Sequence, residues 1–407
     1  MKNIKEFKKL IKEKQYYDAH EVLEEIWFPI RKTKTNYCLV LKGFINGAVS
    51  LELFKRGKIE QSKKIHQNYL KYTKDSMINM LEDSYKWEEL KIFMDNEFLV
   101  IKEQNMKNII TSIDLGSNSF RVLKYDCISK TSIKEFETTV GTADGLSKSG
   151  DISQYALSRI ITAIKTSIDI VDYNPKEAIA VTTQALRVAN NSKEILKSIN
   201  LQTGVDFKII DGQTEAKLTL LAMQYALKRE KLKDDNFILL DIGGGSTELI
   251  FYKNNKSIIK SFSYGIVTLS QSKNIENDFK KFEDEVLEFI SSSNIDINNS
   301  IFLSTAGTPT TVAALKQGLN YETYDKTIVN GTTLTLKEVK DIQLKLNSFS
   351  KDELIKEVGT GREDYINTGM LIYQLFFKTL NKKISIVFDD GLREGVAIDC
   401  CIKKAIF

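Results

Sequence analysis

The stretch Phe237–Phe251, FILLDIGGGSTELIF, decides the fold. Phe237–Leu240 is too short and too β-prone for a helix and is bounded by turn residues, so it reads as a buried strand. Asp241 closes it. Gly243, Gly244 and Gly245 permit positive φ and close backbone approach, which a tight turn needs to aim N–H groups at an anion. Ser246, Thr247 and Glu248 lead into Leu249–Phe251, the returning strand of a hairpin. A carboxylate on the rim of a glycine cradle is a place to hold phosphate and a divalent metal. An ordinary glycine-rich hairpin is spelled the same way, and one occurrence does not separate the two readings.

The spelling recurs. Ile109–Asp126, IITSIDLGSNSFRVLKYD, gives an apolar strand, Asp114, Gly116, the small polar residues Ser117 and Asn118, then a second strand. Such self-similarity predicts two related α/β halves, each offering an acid-glycine-hydroxyl hairpin to a shared cleft. A third glycine turn, in IFLSTAGTPTTVAAL (Ile301–Leu315), follows a strand and opens a helix, an arrangement that aims a helix N-terminus at an anion.

At 407 residues the chain has room for two or three domains. Its 42% hydrophobic and 28% charged residues argue against disorder. No apolar run is expected to reach the roughly 18 residues of a membrane span. The start, MKNIKEFKKLIKEK, lacks an apolar signal core, so the expected location is cytoplasmic. Cys38, Cys127, Cys400 and Cys401 show no disulfide or metal-ligand spacing, and the Cys400-Cys401 pair is expected to pack a helix rather than form a bridge. Residues 1–105 hold 20 Lys+Arg against 16 Asp+Glu. Chain totals of 58 and 54 leave the remainder balanced, and the net +4 resides in the N-terminal part. No clustered basic face of the nucleic-acid kind is apparent.

Residues 1–103 carry almost no strand signal and read as an all-helical bundle, with helices at Tyr17–Trp27, Tyr37–Arg56, Ile59–Leu81 and Trp87–Ile101 after a first stripe of Phe7, Leu10 and Ile11. Lys102–Asn105 are read as its joint to the first strand. His20 and Glu24 share a helix face, and with His66 a His-Glu-His metal site is conceivable. A histidine hydrogen-bonded to a carboxylate within helix packing is the favoured reading. From Asn108 the pattern is α/β. Strands are expected at Ile133–Thr139, Ala178–Thr182 and Phe207–Ile210, and a helix at Ile152–Val171. Arg187 follows the Thr183-Gln184 turn, where an arginine suits bidentate phosphate contact. Glu215 sits in the first turn of a helix behind Asp211-Gly212. There a carboxylate satisfies the helix dipole, but its place before the central strand makes a catalytic role of comparable weight.

These stretches together resemble the exopolyphosphatase / guanosine pentaphosphate phosphohydrolase family (Ppx/GppA) of the actin-like superfamily. The resemblance rests on IDLGSNSFRVLKYD (Ile113–Asp126), TTQALRVA (Thr182–Ala189), IIDGQTEAKL (Ile209–Leu218), DIGGGSTELI (Asp241–Ile250), STAGTPTTVAAL (Ser304–Leu315), GREDYINTG (Gly361–Gly369) and DDGLREGV (Asp389–Val396). It spans about 300 residues in family order. The segment His20, Glu21, Glu24, Trp27 resembles a small helical family of unknown function marked by a His-Glu-x-x-Glu-x-x-Trp-like helix. The implied fold is two actin-like (ribonuclease H-like) α/β halves around a cleft, preceded by the helical bundle. The first half would cover 108–212, completed by a C-terminal helix 391–407 that crosses back, and the second 213–390.

The implied activity is Mg²⁺-dependent hydrolysis of the terminal phosphoanhydride of polyphosphate or guanosine pentaphosphate. Carried over by motif, Glu215 would be the general base. Asp114, Asp241 and Glu248 would hold Mg²⁺. Ser117, Asn118, Arg187, Gly243, Gly244, Gly245 and Ser246 would grip phosphates. The chemistry suits phosphoryl transfer, which is mostly positioning and charge neutralisation. Two departures stand out. Thr214 replaces a further acid that many members carry. The chain also ends soon after DDGLREGV, without the C-terminal HD-like extension implicated in long polyphosphate binding. Alternatives are a non-catalytic polyphosphate or alarmone sensor and an ATP-dependent kinase of the same superfamily. A third reading concerns only residues 1–103, a partner-docking or homodimerisation module, and their role is left open. The two halves are expected to close over substrate.

Overall fold

A computed structural model describes residues 2–56, 58–233, 235–293 and 297–405, with the backbone alone for residues 2, 59–60, 102–107 and 404–405. The chain divides into two compact units, Met1–Ile109 and Ile110–Phe407.

The first unit is built from helices α1 (Lys2–Lys12), α2 (Tyr16–Ile30), α3 (Asn36–Lys55), α4 (Ile59–Tyr72), α5 (Asp75–Ile78) and α6 (Ser84–Lys107). Phe7 and Ile11 of α1, Leu23 of α2 and Phe44 of α3 meet Tyr69 and Trp87 in one core. Gly43 lets α3 lie close to the end of α4, since a Cβ there would stand 2.8 Å from Thr73 Cγ2. α3 is long and apolar enough to cross a membrane by length and composition alone, although Lys42 and Glu52 interrupt its apolar run. Its Val40, Leu41, Phe44, Ala48 and Leu51 are buried within the unit. Two helix boundaries also differ. The helix expected over Ile59–Leu81 breaks at Thr73, whose hydroxyl turns back to the Tyr69 carbonyl at 2.7 Å. Lys102–Asn105, read as a joint, continue α6, because no Gly or Pro interrupts good helix formers there. His20 Nε2 stands 3.7 Å from Glu24, whereas His66 packs against Tyr69 and Phe98.

The second unit holds two sheets of like design. Strands β1 (Ile109–Leu115), β2 (Ser119–Asp126), β3 (Thr131–Thr139), β4 (Ile179–Thr182) and β5 (Phe207–Ile209) lie in the order β3-β2-β1-β4-β5. Strands β6 (Asn236–Ile242), β7 (Thr247–Lys253), β8 (Lys256–Phe262), β9 (Ile301–Thr305), β10 (Thr333–Thr335) and β11 (Ile384–Val387) lie in the order β10-β11-β9-β6-β7-β8. Apart from the edge strand β10, the second order repeats the first. Each sheet has an antiparallel meander on one side and parallel strands on the other. The sequence repeat is thus a repeat of topology.

Helix layers cover both faces of the second sheet. Residues alternate across a strand, so Phe237 and Leu239 of β6 pack with Leu220, Met223 and Leu227 of the Gly212–Arg229 helix, while Ile238, Leu240 and Ile242 enter the opposite core. The C-terminal helix, Leu392–Ala405, follows the last strand of the second sheet yet covers the first. Val396 meets Val181 and Ile210, Ala397 and Ile398 meet Leu123 and Tyr125, and the Ser112 hydroxyl donates to the Arg393 carbonyl at 2.7 Å. Residues 406 and 407 of the expected helix lie outside the described residues.

The cysteine expectation is corrected here. Cys401 forms a disulfide with Cys127, their Cα atoms 5.4 Å apart across 274 residues of sequence, and Cys38 and Cys400 remain thiols. Sequence spacing could not reveal it, because only the return of the C-terminal helix to the end of β2 brings the two together. Cys401→Ser, or reduction of the wild type, is expected to cost about 2–4 kcal/mol. A reductant-dependent fall in the melting midpoint, absent from Cys401→Ser, is the check.

Candidate active site

The two repeated hairpins place their turns face to face. Asp114 and Asp241 are each the next-to-last residue of their strands, β1 and β6, equivalent positions in the two sheets. Gly116–Asn118 and Gly243–Ser246 form the turns. They approach so closely that a Cβ on Gly244 would stand 3.1 Å from the Asn118 nitrogen, and one on Gly245 2.4 Å from Ser117 Oγ. A side chain at either position would push the facing residues aside. Between and behind the turns lies a cleft of about 100 Å³. Asp114, Ser117, Asn118, Glu215, Asp241 and the turn Gly243–Ser246 line it.

Glu215 enters through its helix. Asp211 caps that helix, accepting from the Thr214 N–H at 2.7 Å, which aims the first turn at the cleft. Thr219, one turn on, donates to Asp241 Oδ2 at 3.2 Å, so one helix both presents Glu215 and steadies Asp241. Glu248 lies directly opposite Asp241 in the β6–β7 register and is 1% exposed, behind the cleft wall rather than on it. Its Oε1 accepts from Ser261 at 2.7 Å. Arg187 is likewise not on the wall. Its Nε donates to Gln184 and its Nη1 to the Ile210 carbonyl at 2.6 Å, leaving Nη1 3.9 Å from Glu215 Oε2. The structure therefore ties Arg187 to the carboxylate expected to act as base.

Four acids share this small volume, and each is harder to ionise for it. Burial pushes Asp114 up to about 7, against the pull of Arg121. Burial and Asp241 push Glu248 up to about 8. Burial raises Asp241, with Arg121 opposing. Burial, then Glu248, Asp241 and Asp114, push Glu215 well above the usual carboxylate range. Asp114 Oδ1, Ser117 Oγ, Asn118 Oδ1 and Glu215 Oε2 are all buried without a hydrogen-bond partner. Four such atoms at one place are costly unless a ligand completes them.

Sequence reading missed three contributors. Arg121 lines the cleft from β2 and Arg362 from the GREDYINTG segment of the other half, and both pair with Glu137 of β3. Arg121 was legible by alternation: Phe120 is core, so its neighbour faces the other side. Nothing local marks Arg362. Ala306, before the Gly307–Lys316 helix, lines the cleft at φ 73°, ψ −178°, a conformation that costs a non-glycine residue roughly 1–3 kcal/mol. The first turn of that helix, Gly307 and Thr308, also faces the cleft.

Two sheets of one topology, each presenting an acid and a glycine turn to a common cleft, define an actin-like α/β protein. The chain belongs to the Ppx/GppA phosphatase family, whose model matches residues 124–403, and residues 4–65 match a domain of unknown function, DUF309. The Aquifex aeolicus Ppx/GppA family member is 26% identical, with a TM-score of 0.56 over 73% of this chain and 98% of that one. An exopolyphosphatase from Cytophaga hutchinsonii, 22% identical with a TM-score of 0.63 over 72% and 98% of the two chains, shares the fold. A bifunctional 3-dehydroquinate synthase/phosphatase from Fusobacterium nucleatum is 24% identical over 329 residues, covering 75% of this chain and 48% of that relative. The chain thus spans about half the length of that curated relative.

Proposed function

We propose that this member of a phosphohydrolase family removes the terminal phosphate of inorganic polyphosphate or guanosine pentaphosphate, with Mg²⁺, by attack of a water positioned by Glu215. The observation that carries the reading is Glu215 itself: a buried carboxylate on the wall of the cleft, beside the two glycine turns, whose Oε2 has no hydrogen-bond donor and stands 3.9 Å from Arg187 Nη1. A carboxylate raised in pKa is a stronger base once ionised and would receive a water proton there. Arg187 would steady the ionised form from the side away from the cleft. The backbone N–H groups of Gly244–Ser246, Ser117 and Asn118, with the Ser117, Asn118 and Arg121 side chains, would grip the phosphates, whereas the Gly116 and Gly243 N–H groups close their own turns on the Ser119 and Ser246 carbonyls at 2.9 and 3.0 Å.

The residues suit a divalent cation. Asp114 has an oxygen without a partner, and Asp241 stands near enough to raise the cost of ionising it. Mg²⁺ takes one or two carboxylates together with substrate phosphates and waters. Among the described residues no group of three or more His, Cys, Asp or Glu side chains is arranged to hold a metal ion, so Asp114, Asp241 and Glu248 do not form the three-acid site expected from the sequence. Asp114 and Asp241 would hold it, with Glu248 acting from behind. Bound there, it would neutralise charge on the phosphate oxygens.

This has a consequence free of any activity assay. A carboxyl whose folded pKa is raised binds a proton on folding, so its contribution falls as pH rises from the unfolded value near 4 through the folded value. With Asp114 near 7 and Glu248 near 8, metal-free protein is expected to lose stability between pH 5 and pH 8. Millimolar Mg²⁺ is expected to raise the melting midpoint by about 5 °C at pH 8 and much less at pH 5.5, where protons already neutralise the cluster. An Mg²⁺ shift that is larger at pH 5.5 would contradict the assignment. The function itself is tested by phosphate release from long polyphosphate and from guanosine pentaphosphate with Mg²⁺. Release from neither substrate would overturn it.

A further inference from the structure

The cleft lies in the second unit, yet the chain's excess charge lies in the first. Helix α1 carries Lys2, Lys5, Lys8, Lys9 and Lys12 against one acid, Glu6, a net +4 equal to that of the whole chain. Its sequence sorts the charge onto one side. Phe7 and Ile11 are fully buried in the bundle core with Ile4 packed against it. Lys5, Lys8, Lys9 and Lys12, spaced i, i+3, i+4 and i+7, share the outer stripe and extend along roughly 10 Å of helix.

These four lysines, with Glu13 just beyond them, form one wall of a groove of about 700 Å³ whose other wall is α6, with Glu89, Ile92, Phe93 and Asn96, so four lysines face two acids there. Lys8 is paired with Glu89 at 2.7 Å, and Lys9 stands 3.8 Å from Glu6 with both side chains exposed. Lys5 and Lys12 have no carboxylate within ion-pair distance among the described residues. The ammoniums of Lys8 and Lys12 lie over the Phe93 ring, 5.6 and 5.8 Å from its centre, which holds them at the groove. Like charges one helical turn apart repel, and an anion with charges repeated along a line relieves that repulsion.

We propose that the α1–α6 groove is a second polyphosphate-binding site, which takes internal phosphates of a long inorganic polyphosphate. The identity of the polyanion rests on the phosphohydrolase reading. The geometry rests on α1. A nucleic acid fits the groove less well, because its one aromatic ring is already covered by two ammoniums and cannot stack a base. A membrane surface fits less well again, because the apolar stripe of α1 is spent on the bundle core.

The test uses the full chain carrying Glu215→Gln, so that ligand is not consumed, and end-labelled long-chain polyphosphate. Lys5→Gln/Lys9→Gln/Lys12→Gln in that background is expected to weaken binding roughly ten-fold or more at low salt and to flatten its salt dependence. Glutamine keeps the helix, which circular dichroism verifies. Lys32→Gln/Lys34→Gln/Lys74→Gln removes the same charge from other exposed positions of the unit and is expected to change affinity less than about two-fold. Equal losses in the two triple variants, or no loss in the first, overturn the proposal. Tighter lysine-dependent binding of single-stranded RNA than of polyphosphate also overturns it, in favour of a nucleic-acid groove. Lysine-dependent polyphosphate binding by a protein whose wild type releases no phosphate sustains the groove while the hydrolase reading fails.

Discussion

Glu215→Gln is expected to lower phosphate release by about 10²–10⁴-fold, the range over which positioned acid–base groups act. The same change is expected to raise the melting midpoint. Both follow from one environment. Burial and the neighbouring Glu248, Asp241 and Asp114 make an ionised Glu215 costly, so a neutral amide of the same shape relieves repulsion. That amide offers an N–H where a water proton would have to be accepted. Opposite movements of activity and stability separate this role from a structural one. A helix-capping carboxylate would lose stability on substitution, and a variant of full activity would remove Glu215 from the chemistry. Glu215→Asp keeps the charge but withdraws it by one methylene, so an intermediate rate is expected.

Gly395→Ala is expected to cost about 3 kcal/mol or more and to lower the melting midpoint by about 10 °C. The C-terminal helix crosses the Gly212–Arg229 helix at Gly395, where an added Cβ would lie 2.0 Å from the Leu218 carbonyl oxygen and 2.5 Å from its carbon. Those are backbone atoms and cannot rotate aside. One of these helices bears Glu215, and the other begins at Leu392, beside Gly391 on the cleft wall. The activity lost is therefore expected to exceed the loss explained by unfolding. Gly318→Ala is the contrast. There φ is +78° but no atom lies within 4 Å of the added Cβ, so only about 1 kcal/mol of backbone strain is expected. Equal midpoints for the two variants would show that the helix crossing yields freely.

Much of the architecture was legible because its signals are local. The apolar runs Phe237–Leu240 and Ile109–Ile113 carry strand periodicity, the glycines between hairpin strands carry turn chemistry, and their repetition announces two like sheets. The acids Asp114, Asp241 and Glu215 were legible from their places at strand ends and in a helix first turn. Glu248 and Arg187 were named, but their actual stations, one behind the wall against Ser261 and one tied to Gln184 and Glu215, depend on packing from distant segments. Arg362 and the Cys127–Cys401 bridge left no trace in spacing, since each acts across more than 200 residues of chain.

By itself the sequence determined the elements, their repeat and the chemistry carried on each hairpin, because strand, turn and cap preferences are set within a few residues. Tertiary structure alone decided that the C-terminal helix returns to the first sheet, that three acids and two arginines meet in one cleft with Glu248 behind its wall, and in which direction each carboxyl is pushed from its ordinary pKa. Those properties depend on burial and on charges brought together from afar, and neither exists until the chain has closed on itself.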